Sequence, residues 1–249
     1  NSILMSLLRL MIKSLTKNDI IDLFTTLKPY LTKKNLILSV NFMRLGIPKF
    51  SIPFFLDNFL KIIQPDLIAI QSYSEFTDRT DRTFSRYNSP VTSSLSSLSK
   101  QSFKLYPQNR LLSPTHSFIL IGSSDDTYNH NFTSAFGFNS TFSYFLDKNF
   151  YWLNLGSYLS ETCTFIHHIE SCFLNLIEYR NEIIFPVRIF PDKTVNTYSL
   201  INYKYLERNK AHLDIQCNWL PIQRHQSLSH AQLVDTNYYP VSIYKLQEL

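Results

Sequence analysis

The first 70 residues alternate between helical spacing and short apolar runs. Thr16 and the acid three positions later resemble a capping box, the usual start of a helix. Apolar residues at helical spacing follow, so the pattern predicts a helix over residues 16–29. Two short apolar runs, residues 36–40 and 67–70, predict buried strands, and residues 53–63 between them have helical spacing. Strand, helix and strand with short connections are typical of a sheet that is parallel at least in part.

The serine-rich middle of the chain leaves two interpretations open. Residues 73–102 have the composition of a linker, yet apolar residues recur every three to five positions at Val91, Leu95, Leu98 and Phe103. A polar helix with one apolar stripe and a disordered linker both fit this pattern.

The second half of the chain predicts further strands and one helix. Residues 118–121 and 151–155 are apolar runs that each end at a glycine, which is typical of a strand followed by a sharp turn. Helical spacing then predicts a helix over residues 162–180. Runs rich in β-branched and aromatic residues predict antiparallel strands over residues 183–190, 197–205 and 212–220. The sequence therefore predicts an α/β protein.

Composition excludes several classes of protein. The 249 residues are enough to bury a core as one domain, 1–249. Only 4 are glycine, whereas average usage of roughly 7% predicts about 17. A dinucleotide fingerprint, a phosphate-binding loop and a nucleophile elbow all need closely spaced glycines, so these sites are excluded. The net charge of +5 comes from scattered basic residues, which argues against nucleic acid or an anionic membrane as the partner.

Cysteine usage and hydropathy indicate a reduced, cytoplasmic setting. The 3 cysteines are an odd number without a C-x-x-C pair, which does not suggest a disulfide framework. No apolar run reaches the roughly 18 residues that span a membrane. Residues 3–12 are apolar but lack a basic leader and a small-residue cleavage site, so they predict a helix and not a signal peptide.

A histidine and an acid form the strongest candidate for catalysis. His167 and Glu170 are three positions apart in the predicted helix, so they share a face. A carboxylate beside an imidazole holds its tautomer and raises its basicity, as a general base requires. Solvated polar residues near a helix start fit the same pattern. No metal site is predicted, because the i, i+4 histidine pair of zinc peptidases is missing.

A second polar pair lies at the mouth of a predicted strand. His116 and Ser117 come directly before the apolar run of residues 118–121. Polar side chains at the start of a buried strand are well placed to line a cleft, although a histidine bonded only to the backbone would give the same pattern.

Seven short stretches of the chain follow one another in a recognisable order and spacing. They are residues 15–20, 39–46, 88–100, 110–122, 135–141, 153–156 and 164–170. They include His-Ser-Phe followed by a terminal glycine, Ala-Phe-Gly-x-Asn-Ser, and Thr-x-x-His-His-x-Glu. This pattern resembles that of the aminoglycoside 3-N-acetyltransferases, over residues 15 to 220. Its specificity lies in the order of the motifs and not in any one of them.

The resemblance implies a fold and a reaction. The fold is α/β, with a central mixed sheet flanked by helices and additional antiparallel strands in the C-terminal part. The reaction moves an acetyl group from acetyl-CoA, the co-substrate, to an amino group of an aminoglycoside or amino sugar, the chemistry of antibiotic resistance in this family.

The resemblance also implies roles for individual residues. His167 would be the general base, Glu170 would orient it, and His116 would lie with Ser117 where pantetheine meets the acceptor. The residues expected to bind or approach the cofactor are Ser39, Val40, Asn41, Phe42, Ser117, Gly137, Asn139 and Ser140.

Departures from the family pattern keep a second hypothesis open. Residues 39–42 lack the family's His-Ser-Ser, Ser113 replaces a histidine and Asn139 replaces a glycine. A weakly active or inactive member that serves as a binding or assembly module is therefore the alternative. The net charge of +5 favours a less cationic acceptor, such as an amino sugar, over a polycation. The sequence leaves the oligomeric state open, a homodimer included.

Overall fold

The structure is a computed structural model, and it describes most of the first two thirds of the chain and part of the rest. The described residues are 14–74, 83–113, 115–122, 130, 132–156, 164–172, 180–190, 194–203, 231–233 and 241–246. The helices are α1 (Lys17–Leu31), α2 (Phe42–Leu45), α3 (Ile52–Ile63), α4 (Ser97–Leu105), α5 (Thr141–Asp147) and α6 (Phe165–Cys172). The strands are β1 (Ser14–Leu15), β2 (Asn35–Val40), β3 (Ile47–Pro48), β4 (Leu67–Gln71), β5 (Thr83–Ser85), β6 (Phe118–Gly122), β7 (Tyr151–Leu155), β8 (Arg180–Phe190), β9 (Thr194–Tyr203), β10 (Ala231–Leu233) and β11 (Val241–Lys245).

A mixed sheet of six strands forms the centre of the protein. Its order is β10-β11-β7-β2-β4-β6, and the three central strands β7, β2 and β4 run parallel. β6 is antiparallel to β4, and β11 is antiparallel to β7. A second sheet pairs β8 with β5 in parallel and with β9 in antiparallel orientation. This architecture confirms the predicted α/β class with a central mixed sheet and antiparallel strands in the C-terminal part.

Successive side chains along the strands of the central sheet belong alternately to two hydrophobic clusters, one on each face of the sheet. In β2, Leu36, Leu38 and Val40 belong to one cluster and Ile37 to the other. The first cluster includes apolar residues of α1, α3 and α4, and the second includes those of α5 and α6. Because both faces are covered, the central strands are mainly apolar, which explains why they could be predicted as short apolar runs; the buried residues Ser39 of β2 and Asn154 of β7 are polar exceptions.

The helix predicted over residues 16–29 is confirmed as α1. Its capping box is complete: the Thr16 hydroxyl accepts from the Asp19 N–H, and the Asp19 carboxylate accepts from the Thr16 N–H. The helix continues to Leu31 despite Pro29. The strand–helix–strand unit is confirmed as β2, α3 and β4, with β2 and β4 parallel.

The serine-rich stretch ends in a helix, so the first of the two interpretations holds for its last part, residues 97–102. Ser96 caps α4, and Leu98 is buried in the first cluster with Phe103 packed against it. Val91 and Leu95 lie before the helix and are only half-buried. The apolar stripe therefore marks a helix of nine residues preceded by irregular chain.

The C-terminal part corrects one prediction and leaves others untested. Arg180 begins β8 opposite Tyr203, so a helix over residues 162–180 is wrong at its C-terminal end. The described helix α6 covers Phe165–Cys172. Strands over residues 183–190 and 197–205 are confirmed in outline by β8 and β9. The predicted strand over residues 212–220 and the N-terminal helix over residues 3–12 lie outside the described residues.

None of the described helices combines the length and the apolar character that crossing a bilayer would need.

Candidate active site

The site lies at the carboxyl edge of the central parallel strands. β2, β4 and β7 all end there, and Val40 is the register partner of Leu155. β6 runs the opposite way, so its amino end reaches the same edge. Loops that follow parallel strands gather at such an edge, which is where α/β proteins commonly bind ligands. His116, Asn41 and Gly156 all flank these strand ends in the chain.

The pairing of β4 with β6 continues past the regular strands. Ser72 N–H donates to Ser117 O over 2.9 Å, and Ser74 N–H donates to Thr115 O over 3.0 Å. This extension places Tyr73 opposite His116, with ring centroids 4.8 Å apart. Tyr73 and His116 therefore form one cross-strand aromatic pair at the edge.

The surroundings of His116 favour its neutral form. Its Nδ1 is hydrogen-bonded to Thr115 Oγ1 at 2.8 Å, and its ring lies 4.5 Å from Phe136 and 4.8 Å from Tyr73. Desolvation, and then the charge of His167, lower the pKa of His116 to about 3. At neutral pH this imidazole is uncharged and available for hydrogen bonding.

His167 lies on α6, close to the same aromatic group. Its ring centroid is 5.5 Å from that of Phe136, in an edge-to-face arrangement. Its backbone N–H donates to Thr164 O in the turn that starts the helix. The Thr164 hydroxyl is 2.5 Å from the Tyr73 hydroxyl, which also accepts from Gln71 Nε2. The ring of Phe136 thus contacts both His116 and His167, and Tyr73 links the His116 strand to the His167 helix.

Glu170 follows His167 by three positions on α6, as predicted. Its backbone is part of the helix, and its side chain lies outside the described part of the structure. The pairing of Glu170 with His167 stays a prediction.

A turn over residues 136–140 packs against α6, with Phe136 and Ser140 buried and Phe138 exposed. Gly137, at φ 74, donates its N–H to His168 Nδ1 over 3.0 Å. Ser140 is fully buried, donates its hydroxyl proton to Gly137 O and caps α5. Asn139, at φ 53, bonds to His130 and Thr133 within its own loop. The polar atoms of these three predicted cofactor residues organise the turn.

His168 is a site residue to which the sequence assigned no role. It is 5% exposed, and its ring stacks on Phe165 with centroids 5.1 Å apart. Desolvation lowers its pKa to about 4. Because its Nδ1 accepts the Gly137 N–H, the neutral ring carries its proton on Nε2. The only signal in the sequence was its position next to His167, which does not reveal a partner 31 residues away.

Residues 39–42 lie at the end of β2, where the cofactor was expected to approach. The Ser39 hydroxyl accepts from Trp152 Nε1 over 2.9 Å, and Val40 is buried. Asn41 donates its N–H to Leu155 O and caps α2 with its side chain, and Phe42 is buried. This segment therefore offers an ordered backbone, with Met43 exposed beside it.

Ser117 is adjacent to His116 but faces the other way. Its hydroxyl is fully buried, donates to Ser72 O and accepts from Arg110 Nε.

Within the described ranges, no cluster of three or more histidine, cysteine or acidic residues could hold a metal ion.

A sequence model describing aminoglycoside 3-N-acetyltransferases matches residues 78–233, more than half of the chain. The chain belongs to this family. The family consists of acyltransferases that use acetyl-CoA as co-substrate and acetylate aminoglycoside amines, so the predicted class of enzyme and co-substrate is confirmed. A comparison with curated proteins gave no match.

Solved structures share the fold of this chain, aminoglycoside acetyltransferases among them. AAC(3)-Xa is 13% identical with a TM-score of 0.68, over 94% of this chain and 90% of that one. AAC-VIa bound to sisomicin is 13% identical with a TM-score of 0.68, over 93% of this chain and 92% of that one. The YokD protein of Bacillus subtilis is 15% identical with a TM-score of 0.68, over 94% and 89%. At identities this low, the structural similarity establishes a shared fold and nothing further.

Proposed function

We propose that this acetyltransferase uses His167 as the general base that takes a proton from the acceptor amine. The observation that carries the proposal is that His116 and His167 both lie against the ring of Phe136 at the carboxyl edge, with Tyr73 packed against His116. These groups come from three elements that are distant in the chain: the end of β4, the start of β6, and α6. Glu170, one helical turn after His167, would hold the imidazole in the basic tautomer.

The chemistry of this edge fits a thioester carried on a pantetheine arm. The exposed side chains of Met43 and Phe138 offer apolar contact, and Tyr73 and Thr164 supply hydroxyl groups. Acetyl-CoA supplies an acetyl group bound to a good leaving thiol. The amine must be neutral to attack, so a nearby base that accepts its proton promotes the step. The new N–C bond forms as the C–S bond breaks, and the amine proton passes through His167 to the departing sulfur.

His116 contributes as a neutral group. A histidine whose pKa is about 3 stays uncharged at neutral pH and does not repel an ammonium that approaches the edge. We infer that it lies beside the acceptor and the thioester, where its ring and that of Tyr73 form one wall.

The acceptor is an amino group on a sugar, and we propose that amino sugars of low charge are preferred to polycations. The net charge of +5 supports this preference. We place the protein in the cytoplasm, in keeping with its use of acetyl-CoA and with its 3 cysteines, an odd number without a C-x-x-C pair.

The direct test follows thiol release from acetyl-CoA with purified protein and a panel of sisomicin, apramycin and glucosamine. We expect turnover by the wild type and a loss in kcat of about 10²- to 10⁴-fold for His167→Ala, the usual contribution of a general base. Lys61→Ala, an exposed change on α3, is the control and should match the wild type. Equal rates for His167→Ala and wild type would refute the role of His167.

Calorimetry with CoA separates the enzyme from the binding module. Micromolar binding with turnover supports the enzyme. Binding of CoA without turnover of any amine on the panel, or no binding at millimolar CoA, would favour the weakly active or inactive module.

A further inference from the structure

A fully buried arginine lies behind the candidate site and has no part in the proposed chemistry. Arg110 precedes β6 and is 0% exposed. Its Nε donates to Ser117 Oγ over 2.9 Å, and its terminal nitrogens donate to Ser89 O, Ser72 O and Ser74 Oγ, each over 2.5 Å. All four acceptors are neutral oxygens.

The burial of this cation needs an explanation. Taking a guanidinium out of water is unfavourable, and replacement of buried charges by apolar residues often leaves stability unchanged or higher. Desolvation lowers the pKa of Arg110 to about 9, so the group still carries its charge at neutral pH. The rings of Phe84 and Phe103 lie 5.0 and 4.7 Å from its guanidinium carbon, where cation–π attraction offsets part of the cost.

Three of the four acceptors belong to the extended pairing that carries Tyr73 and His116. Ser72 and Ser74 flank Tyr73 in the chain, and Ser117 follows His116. Side chains alternate between the two faces of a paired strand. The side chains of Ser74 and Ser117 therefore meet Arg110 on one face, and Tyr73 and His116 point to the other. Ser72 accepts from Arg110 through its main-chain oxygen.

We propose that Arg110 is a positioning residue that fixes the Tyr73–His116 pair at the reaction edge from the opposite face of the two strands. The planar guanidinium reaches both strands at once: Nε holds the β6 side through Ser117, and one terminal nitrogen holds the β4 side through Ser72 and Ser74. The Tyr73 hydroxyl is hydrogen-bonded to the Thr164 hydroxyl just before α6, so the position of Tyr73 also affects the start of the helix that carries His167.

The role of Arg110 in catalysis rests on the proposed function, whereas its effect on His116 does not. Arg110→Lys keeps the charge but loses the fork that spans both strands. Ser74→Ala removes one of the four acceptors of Arg110, together with the hydrogen bond from the Ser74 hydroxyl to Pro90 O, and it remains informative if Arg110→Lys fails to fold. Arg86→Lys is the matched control, because Arg86 donates to Gln108 O away from the paired rings.

The test compares three readouts for each variant: the thermal midpoint, the imidazole NMR signals of His116, and kcat against KM for acetyl-CoA. We expect Arg110→Lys to move the His116 signals and to lower kcat by about 10- to 100-fold with a smaller change in KM, as misplacement of site groups does. Ser74→Ala should move the same signals in the same direction by less, and Arg86→Lys should leave them unchanged.

Two results would overturn the proposal. One is a lower thermal midpoint for Arg110→Lys or Ser74→Ala with wild-type His116 signals, which would give Arg110 a structural role alone. The other is a kcat equal to that of the wild type in an active enzyme whose Arg110→Lys variant folds. If the wild type turned over no amine, the proposed function would fail, and the His116 signals would still decide whether Arg110 positions the pair.

Discussion

His168 is a buried group whose protonation state is coupled to the order of the site. The folded protein lowers its pKa to about 4, whereas an unfolded histidine titrates at about 6.5. Between these values the unfolded state binds more protons, so stability is fully present above about pH 6.5 and is lost as the pH falls towards 4. His116, with a pKa of about 3, adds to the loss in the same direction.

Replacement of His168 by glutamine should therefore flatten the acid side of the stability profile. The glutamine side-chain carbonyl would still accept the Gly137 N–H, but the new side chain would not titrate. We expect His168→Gln to lose less unfolding free energy than the wild type between pH 7 and pH 5, by about 1–2 kcal/mol after allowance for solvent screening. Urea unfolding at the two pH values measures this difference.

The comparison must be made as a difference between pH values, because the substitution itself changes packing against Phe165. His130→Gln, at an exposed histidine, is the control and should keep the wild-type slope. A wild-type slope in His168→Gln would show that His168 is not the group whose protonation destabilises the fold.

At the scale of single residues, the sequence revealed types and positions but not partners. His116 and His167 could be singled out, because histidine is the natural base near neutral pH and each lies beside an apolar run. The role of Arg110 could not be predicted, since its acceptors Ser72 and Ser74 lie 38 and 36 residues away in the chain. Only the fold brings these groups together.

At the scale of elements, the site depends on how closely the ends of β2 and β7 approach. Gly156 directly follows β7 at φ 73, and a Cβ placed there would lie 2.7 Å from Asn41 O and 2.8 Å from Leu45 Cγ. Asn41 in turn donates its N–H to Leu155 O. A side chain at position 156 would thus push apart the two strand ends that form the edge.

We expect Gly156→Ala to lower the free energy of unfolding by about 2–4 kcal/mol, because it combines a left-handed backbone with a clash against a main-chain oxygen. Denaturant unfolding measures the loss. Asn149→Ala is the matched control: Asn149 has φ 54 in an exposed turn, so it tests the backbone preference without the clash. A loss no larger than that of Asn149→Ala would contradict the close approach as the cause.

Elements with local signals were predicted and those fixed by long-range pairing were not. The capping box at Thr16 defined the start of α1, and short, mainly apolar runs defined β2, β4, β6 and β7. The helix expected up to Arg180 is wrong there because pairing with Tyr203 makes the segment a strand. β11 was missed because its alternating pattern is short, and its place beside β7 comes from pairing with residues far earlier in the chain.

At the scale of the whole molecule, net charge bears on which acceptor can approach. The chain carries +5, and a polycationic aminoglycoside carries several positive charges of its own. Long-range repulsion between them slows encounter and weakens as salt shortens the screening length, from about 30 Å at 0.01 M to about 8 Å at 0.15 M. A monoamine such as glucosamine experiences much less of this repulsion.

The salt dependence of kcat/KM therefore distinguishes acceptors by charge. We expect kcat/KM for sisomicin to rise as ionic strength increases from about 0.01 M to about 0.15 M, because the repulsion is screened over that range. The value for glucosamine should stay nearly constant, and it serves as the control for effects of salt on the enzyme itself. A fall in kcat/KM for sisomicin over the same range would mean that local acidic groups attract the polycation more strongly than the net charge repels it, and the proposed preference for acceptors of low charge would then be wrong.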